Sequence, residues 1–242
     1  MNAERKYLDD LNEAQREAVL SPFNRPVFVF AGAGSGKTRT LISRIAEMIN
    51  RGVRADSILA MTFTRKAAEE IRERIRFFIG PRADGVHTST YHQLCLRMIE
   101  DNPFILNIQK KNFKVADGQT QRKIVSAACK TLPEFKNLKK KQNTSNLVVT
   151  TNKMLNAINR AKVLNLTSSN FSGNFEMVFA HYENHLKLHG LIDFHDFLTY
   201  ARDLLVQYPV IARNYANTYQ YILIDEFQDT SPINFEILKM IL

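Results

Sequence analysis

Lys37 and Thr38 close the run Ala31-Gly32-Ala33-Gly34-Ser35-Gly36-Lys37-Thr38, an order of residue types suited to holding a polyphosphate. Glycines let backbone N–H groups approach phosphate oxygens. The lysine ammonium brings a point charge to the outer phosphates, and the following hydroxyl is a ligand for Mg²⁺. An apolar stretch, Val27 to Ala31, precedes the run and an amphipathic one begins at Lys37, the strand-loop-helix setting in which such amides converge. Ala31 stands where the strictest form of the pattern has glycine. Asp225 and Glu226 follow the apolar run Ile222-Leu223-Ile224, starting 188 positions after Lys37. Asp225 would hold magnesium through water, and Glu226 would orient and deprotonate an attacking water. By themselves, two acids after a strand serve equally well as the start of a helix; the phosphate loop tips the reading toward chemistry.

Two other groupings are less reactive. His181, His185 and His189 recur every four residues and share one helix face, but no cluster of acids or cysteines accompanies them, so they read as helix surface and not as a metal site. Cys95 lies in an apolar helical stretch without a His-Asn set, which makes it a core thiol.

For Lys37 to meet Asp225, the chain between them must return to one sheet. Short β-branched runs over Val27–Ala31, Ile58–Phe63, Val86–Thr88 and Tyr221–Asp225 read as strands. Amphipathic stretches over Lys37–Arg51, Lys66–Ile79 and Tyr91–Asp101 read as helices. Ser231 and Pro232 supply the N-cap and first-turn proline of a closing helix. This alternation predicts an α/β fold around a parallel sheet. From about Phe104 to Gly190 strand signals give way to consecutive helices, with the Lys/Asn/Thr-rich run Lys136–Thr151 read as a loop. The expected organisation is one phosphate-binding domain over 1–106 and 194–242, interrupted by an inserted helical basic subdomain over 107–193.

The 242 residues, 45% of them hydrophobic, are enough for a substantial core. The net charge of +9 is concentrated: Lys110–Asn165 holds 13 Lys/Arg against Asp117 and Glu134, leaving the remainder slightly acidic. Such a segment is suited to polyanions. With two cysteines, a charged amino terminus and no apolar run near the roughly 20 residues a bilayer demands, the expectation is a soluble protein of a reducing cytosol, with no membrane partner.

Taken in order, Leu11-Asn12-Glu13-Ala14-Gln15-Arg16-Glu17-Ala18-Val19, the phosphate loop, Thr62-Phe63-Thr64-Arg65-Lys66-Ala67-Ala68, Thr90-Tyr91-His92 and Asp225-Glu226-Phe227-Gln228-Asp229-Thr230 resemble the UvrD/Rep/PcrA group of superfamily 1A DNA helicases. The resemblance implies a RecA-like P-loop NTPase sheet with helices on both faces plus an all-helical insert, and ATP with Mg²⁺ as cofactors. It also implies single-stranded and duplex DNA as partners, and the bacterial cytosol as location. Nucleotide would be held by Gln15, reading the adenine edge with an amide that donates and accepts, by Ala33, Gly34, Ser35, Gly36, Lys37 and Thr38, and by Arg39. Magnesium would sit on Thr38 and Asp225. Lys37 and Glu226 would act in catalysis, with Gln228 linking the γ-phosphate to moving parts. Single-stranded DNA would meet Phe63, Arg65, Tyr91 and His92, aromatic faces accepting any base; for Phe63, packing into the core is the competing reading.

This sequence has Arg65 where the group usually has asparagine, Tyr91 for phenylalanine, His195 for aspartate and Asn234 for glutamine. It ends on Lys239-Met240-Ile241-Leu242 in mid-pattern, which reads as truncation before the C-terminal motor domains, so that the piece alone is expected to bind nucleotide and DNA weakly without unwinding. Two alternatives stand beside this: the motor segment of a helicase-nuclease, and a nucleic-acid-binding module with a vestigial ATP site.

Overall fold

The structure is a computed structural model that describes residues 5–32, 34–106, 113–133, 141–164 and 166–242. In chain order its main elements are α1 (Glu13–Leu20), α2 (Lys37–Asn50), β1 (Ile58–Thr62), α3 (Arg65–Ile79), β2 (His87–Thr90), α4 (Tyr91–Asp101), β3 (Lys114–Val115), α5 (Gly118–Cys129), α6 (Lys141–Val163), α7 (Gly173–His189), β4 (Leu191–Ile192), α8 (Asp196–Gln207), α9 (Pro209–Thr218), β5 (Tyr221–Ile224) and α10 (Pro232–Met240). They form two compact units, Met1–Leu94 with Leu204–Leu242, and Cys95–Asp203.

The first unit is built on a parallel sheet of order β2-β1-β5. Ile58, Leu59, Ala60 and Met61 are fully buried, as expected of a central parallel strand covered on both faces. α2 and α3 turn Ile42, Ile45, Ala46, Ile71 and Ile75 into the same core, the three-and-four spacing of an apolar helix stripe. Local chemistry starts each helix. Asn12 and Gln15 form a reciprocal capping box on α1, Thr64 accepts from the Ala67 N–H at the head of α3, and Ser231 with Pro232 opens α10, each satisfying backbone donors that a helix start leaves orphaned.

One expected strand is absent from the sheet. Val27–Ala31 has no regular secondary structure and joins no ladder among the described residues, and Phe28 and Phe30 are 66% and 93% exposed. Their rings stack on one another, with Phe28 edge-on to Phe227. A β-branched apolar run reports a preference for burial, but a strand also requires a partner in register. For the same reason β5, an edge strand of the described sheet, is half-buried and not the buried strand its composition suggests.

The second unit packs α5, α6 and α7 around Ile124, Val125, Leu155, Ile158, Phe179 and Tyr182. Two readings are corrected here. Lys141–Thr151 lies in α6 and is not loop, because Leu147, Thr151, Leu155 and Ile158 fall on one buried face; Lys136–Lys140 lies outside the described residues. The insert also carries a short parallel pair, Lys114 with Leu191 and Val115 with Ile192, too short to show a period in sequence. Next to it, Lys162 Nζ donates to Asp193 Oδ2 at 2.6 Å and Asp196 Oδ1 at 2.7 Å, and Tyr182 Oη donates to Asp193 at 2.8 Å. Burial alone would lower the Lys162 pKa, but Asp196 and Asp193 hold it raised, while burial is the main reason the Tyr182 phenol is pushed up.

Candidate nucleotide and strand-contact site

The C-terminal ends of parallel strands are where open α/β sheets present ligand-binding groups, and the predicted residues of the first unit gather there. β1 pairs with β5 so that Met61 faces Ile224, and the Asp225 N–H donates to Met61 O at 2.8 Å, continuing the ladder one residue further. This register sets the Asp225 carboxylate, buried at 8% exposure, against the head of α2. Thr38 Oγ1 donates to Asp225 Oδ2 at 2.8 Å, although 187 positions separate them.

Lys37, the first residue of α2, donates through Nζ to Ala31 O and Gly32 O at 3.2 Å each, and lies 4.0 Å from Glu226 Oε2. The lysine and both acids therefore lie together at the head of α2. The loop reaches α2 through Gly34 at φ 74° and Gly36 at φ 84°, in the left-handed region that a β-carbon disfavours. Gly36 has a second reason to be glycine: a β-carbon there would lie 2.8 Å from Gln15 Nε2.

Gln15 engages the loop directly, its Nε2 donating to Ser35 O at 2.8 Å while its Oε1 accepts from the Asn12 N–H at 3.0 Å. Ser35 Oγ donates to Gly32 O, and Arg39 is ion-paired with Asp10. Ala33 lies outside the described residues. Glu226 is in the left-handed region at φ 53°, the one non-glycine residue there among those described, and its Oε2 accepts from Gln228 Nε2.

The four expected DNA contacts divide. Phe63, just past β1, is 57% exposed and so is not a core side chain. Arg65 is exposed at the start of α3, and His92 is half-buried in the first turn of α4. Tyr91 departs from the expectation of an open aromatic face: its ring is 4% exposed, and its hydroxyl is 3.0 Å from Thr230 Oγ1. Burial raises its pKa, with the Thr230 bond opposing. Residue type and spacing assign no role to Thr230 or Asp10, whose partners lie 139 and 29 positions away.

Other groupings take the quieter roles. The rings of His181, His185 and His189 stack along one face of α7, and His185 is held below the usual histidine range, first by burial and then by its two neighbours. Cys95 is fully buried, which pushes its thiol pKa far up. No described helix is long and apolar enough to cross a membrane.

Comparison with known proteins agrees with this geometry. Residues 11–242 match the family described as UvrD/REP helicase N-terminal domain. A probable DNA helicase II homolog of Mycoplasma capricolum subsp. capricolum is 32% identical over 244 residues, covering 97% of this chain and 32% of that protein. The ATP-dependent DNA helicase PcrA of Staphylococcus aureus is 30% identical over 250 residues, covering 100% of this chain and 32% of its own length. The ATP-dependent DNA helicase UvrD1 of Mycobacterium bovis is 30% identical over 236 residues, with 97% and 30% covered. The chain thus spans about a third of the length of these curated relatives. With the family model matched over residues 11–242 of a chain built on a RecA-like parallel sheet, the chain belongs to the UvrD/REP helicase N-terminal domain family.

Proposed function

We propose that this chain is the ATP-binding part of an ATP-dependent DNA helicase of the UvrD/Rep type, a motor that moves on single-stranded DNA and opens duplex in the bacterial cytosol. The observation that carries the reading is the 2.8 Å bond between Thr38 Oγ1 and Asp225 Oδ2. A hydroxyl and a carboxylate so close are the hard oxygen donors that Mg²⁺ takes, directly or through water, so the residues present fit the ion. Thr38 and Asp225 would hold magnesium, which when bound would supply positive charge to neutralise that developing on the phosphates.

The remaining roles belong to the chain's own groups. Lys37 leaves its carbonyl partners to meet the β- and γ-phosphates, and backbone amides of the 31–38 loop surround the β-phosphate. Glu226 orients a water and takes its proton; Gln228, now bonded to Glu226, exchanges that bond for the γ-phosphate side. Gln15 and Arg39 bind the base end once they release Asn12, Ser35 and Asp10. Phe63, Arg65 and His92 form the strand-contact corner, with Tyr91 beneath it. The exposed cations of the second unit, Arg122, Lys123, Lys130, Lys153 and Arg160 among them, contact duplex phosphates. By family likeness, the working motor pairs this module with a second motor domain.

Nucleotide titration tests the site. Lys37→Ala is expected to abolish Mg·ATP binding, whereas Glu226→Gln keeps binding and stops turnover in the intact motor. Normal binding and hydrolysis by both variants would overturn the assignment. A vestigial ATP site is disfavoured by the intact set Lys37, Thr38, Asp225 and Glu226.

A further inference from the structure

We propose that Arg44 is a positioning residue for base recognition, clamping α1 against α2 so that Gln15 meets the purine in fixed register with the phosphate loop. The inference rests on the function proposed above and adds to it a residue that acts through Gln15.

Two helices of the first unit carry the groups assigned to nucleotide: α1 holds Gln15, and α2 begins with Lys37 and Thr38. Arg44 lies on α2, about 10 Å along the helix from Lys37, and its guanidinium meets the C-terminal end of α1. Nη1 donates to Ala18 O at 2.6 Å, Ser21 O at 3.1 Å and Val19 O at 3.3 Å, and Nη2 donates to Pro22 O at 3.1 Å. Arg44 Cζ also lies 5.1 Å from the centre of the Phe23 ring, a cation–π distance. The last carbonyls of a helix have no partner within it and form the negative end of its dipole. A planar fork of N–H donors therefore both satisfies that end and fixes its direction, which the single ammonium of a lysine does not do.

The other end of α1 is tied to the loop by Gln15 itself, whose Nε2 donates to Ser35 O at 2.8 Å. When that amide turns to a base, the tie is given up. The grip of Arg44 then remains to hold α1 on α2, with Arg51 Nη2 beside it at 3.5 Å from Leu20 O. Hydrogen bonds tolerate displacements of only about half an ångström, so a shift of α1 would cost base recognition. Lys37, Thr38 and the loop amides belong to α2 and its lead-in, and the same shift leaves the phosphate grip in place.

Calorimetric titration of the 242-residue chain with Mg·ATP, Mg·GTP and Mg·tripolyphosphate tests this, because tripolyphosphate engages the loop without a base. The unaltered chain should bind ATP about tenfold more tightly than GTP, the worth of one or two neutral hydrogen bonds. Arg44→Met should bring that ratio within about twofold of one and leave tripolyphosphate affinity within about twofold. Arg44→Lys keeps the charge but not the fork; it should lose the preference as well, and it supplies the reading if the methionine variant does not fold. In a Gln15→Ala background, Arg44→Met should take nothing further from the ratio. A role in stability alone would weaken all three ligands together and keep the ATP-to-GTP ratio. That outcome, or an Arg44→Lys chain with the full preference, overturns the proposal. An unaltered chain that binds tripolyphosphate without distinguishing ATP from GTP overturns the adenine-reading assignment of Gln15 and this inference with it. One that binds none of the three overturns the proposed function, so the titrations of the unaltered chain tell these failures apart.

Discussion

Gln15 uses both ends of its side-chain amide, Oε1 on the Asn12 N–H and Nε2 on Ser35 O. The same pair of atoms would read an adenine edge, so base recognition requires exchanging at least one of these bonds for the base. The type of residue was legible in the sequence, as was its place before the phosphate loop; the competition was not, because it depends on a carbonyl 20 positions away. Gln15→Ala is expected to weaken nucleotide binding and to cost about 1 kcal/mol of stability through the lost capping interaction, readable in a denaturation midpoint. Gly36→Ala should be harsher. The left-handed backbone at φ 84° costs a β-carbon residue about 1–2 kcal/mol, and the new carbon would meet the Gln15 amide at 2.8 Å. The expected outcome in a nucleotide titration is a loss of affinity of about tenfold or more, and unchanged affinity would show that the loop tolerates another path.

At the scale of elements, α6 shows how a helix is hidden from a reader of sequence. Its Asn and Thr residues have low intrinsic helix preference, and the apolar face of Leu147, Leu155 and Ile158 includes Thr151 where an aliphatic residue would have made the period plain. Tertiary burial of that face decides the matter. The end of the same helix carries Lys162, whose ammonium is shared by Asp193 and Asp196. Removing one partner of a buried ionic cluster leaves charge uncompensated, so Lys162→Met should destabilise the second unit by about 3–5 kcal/mol in urea unfolding. The pH response has a definite sign. Asp196 and Asp193 hold the Lys162 pKa raised against the opposing effect of burial, so its contribution is complete below the ordinary lysine value and disappears as pH rises through the folded one. Urea midpoints should therefore fall on the alkaline side, past about 10.4, and should lose that dependence in the Lys162→Met variant.

Over the whole molecule, charge and motif order give separate information. The +9 net charge, concentrated within Lys110–Asn165, predicts DNA affinity that falls steeply with salt, with a log-log slope of about −0.7 for each single-strand phosphate neutralised. Anisotropy titrations over a salt series read that slope, and a flat response would remove the electrostatic component of the proposal. What the sequence by itself determined was the local chemistry: a glycine loop ending in Lys37-Thr38, two acids at Asp225-Glu226, capping residues at Asn12, Thr64 and Ser231, and an α/β alternation that calls for a parallel sheet. These are legible because each depends on residue type and short spacing. Only the tertiary structure decided that Val27–Ala31 stays out of the sheet, that Tyr91 is buried against Thr230, and that Lys162 gathers two aspartates. Strand pairing, burial and ion clustering depend on which distant segments become neighbours, and a short-range pattern of residue types does not contain that information.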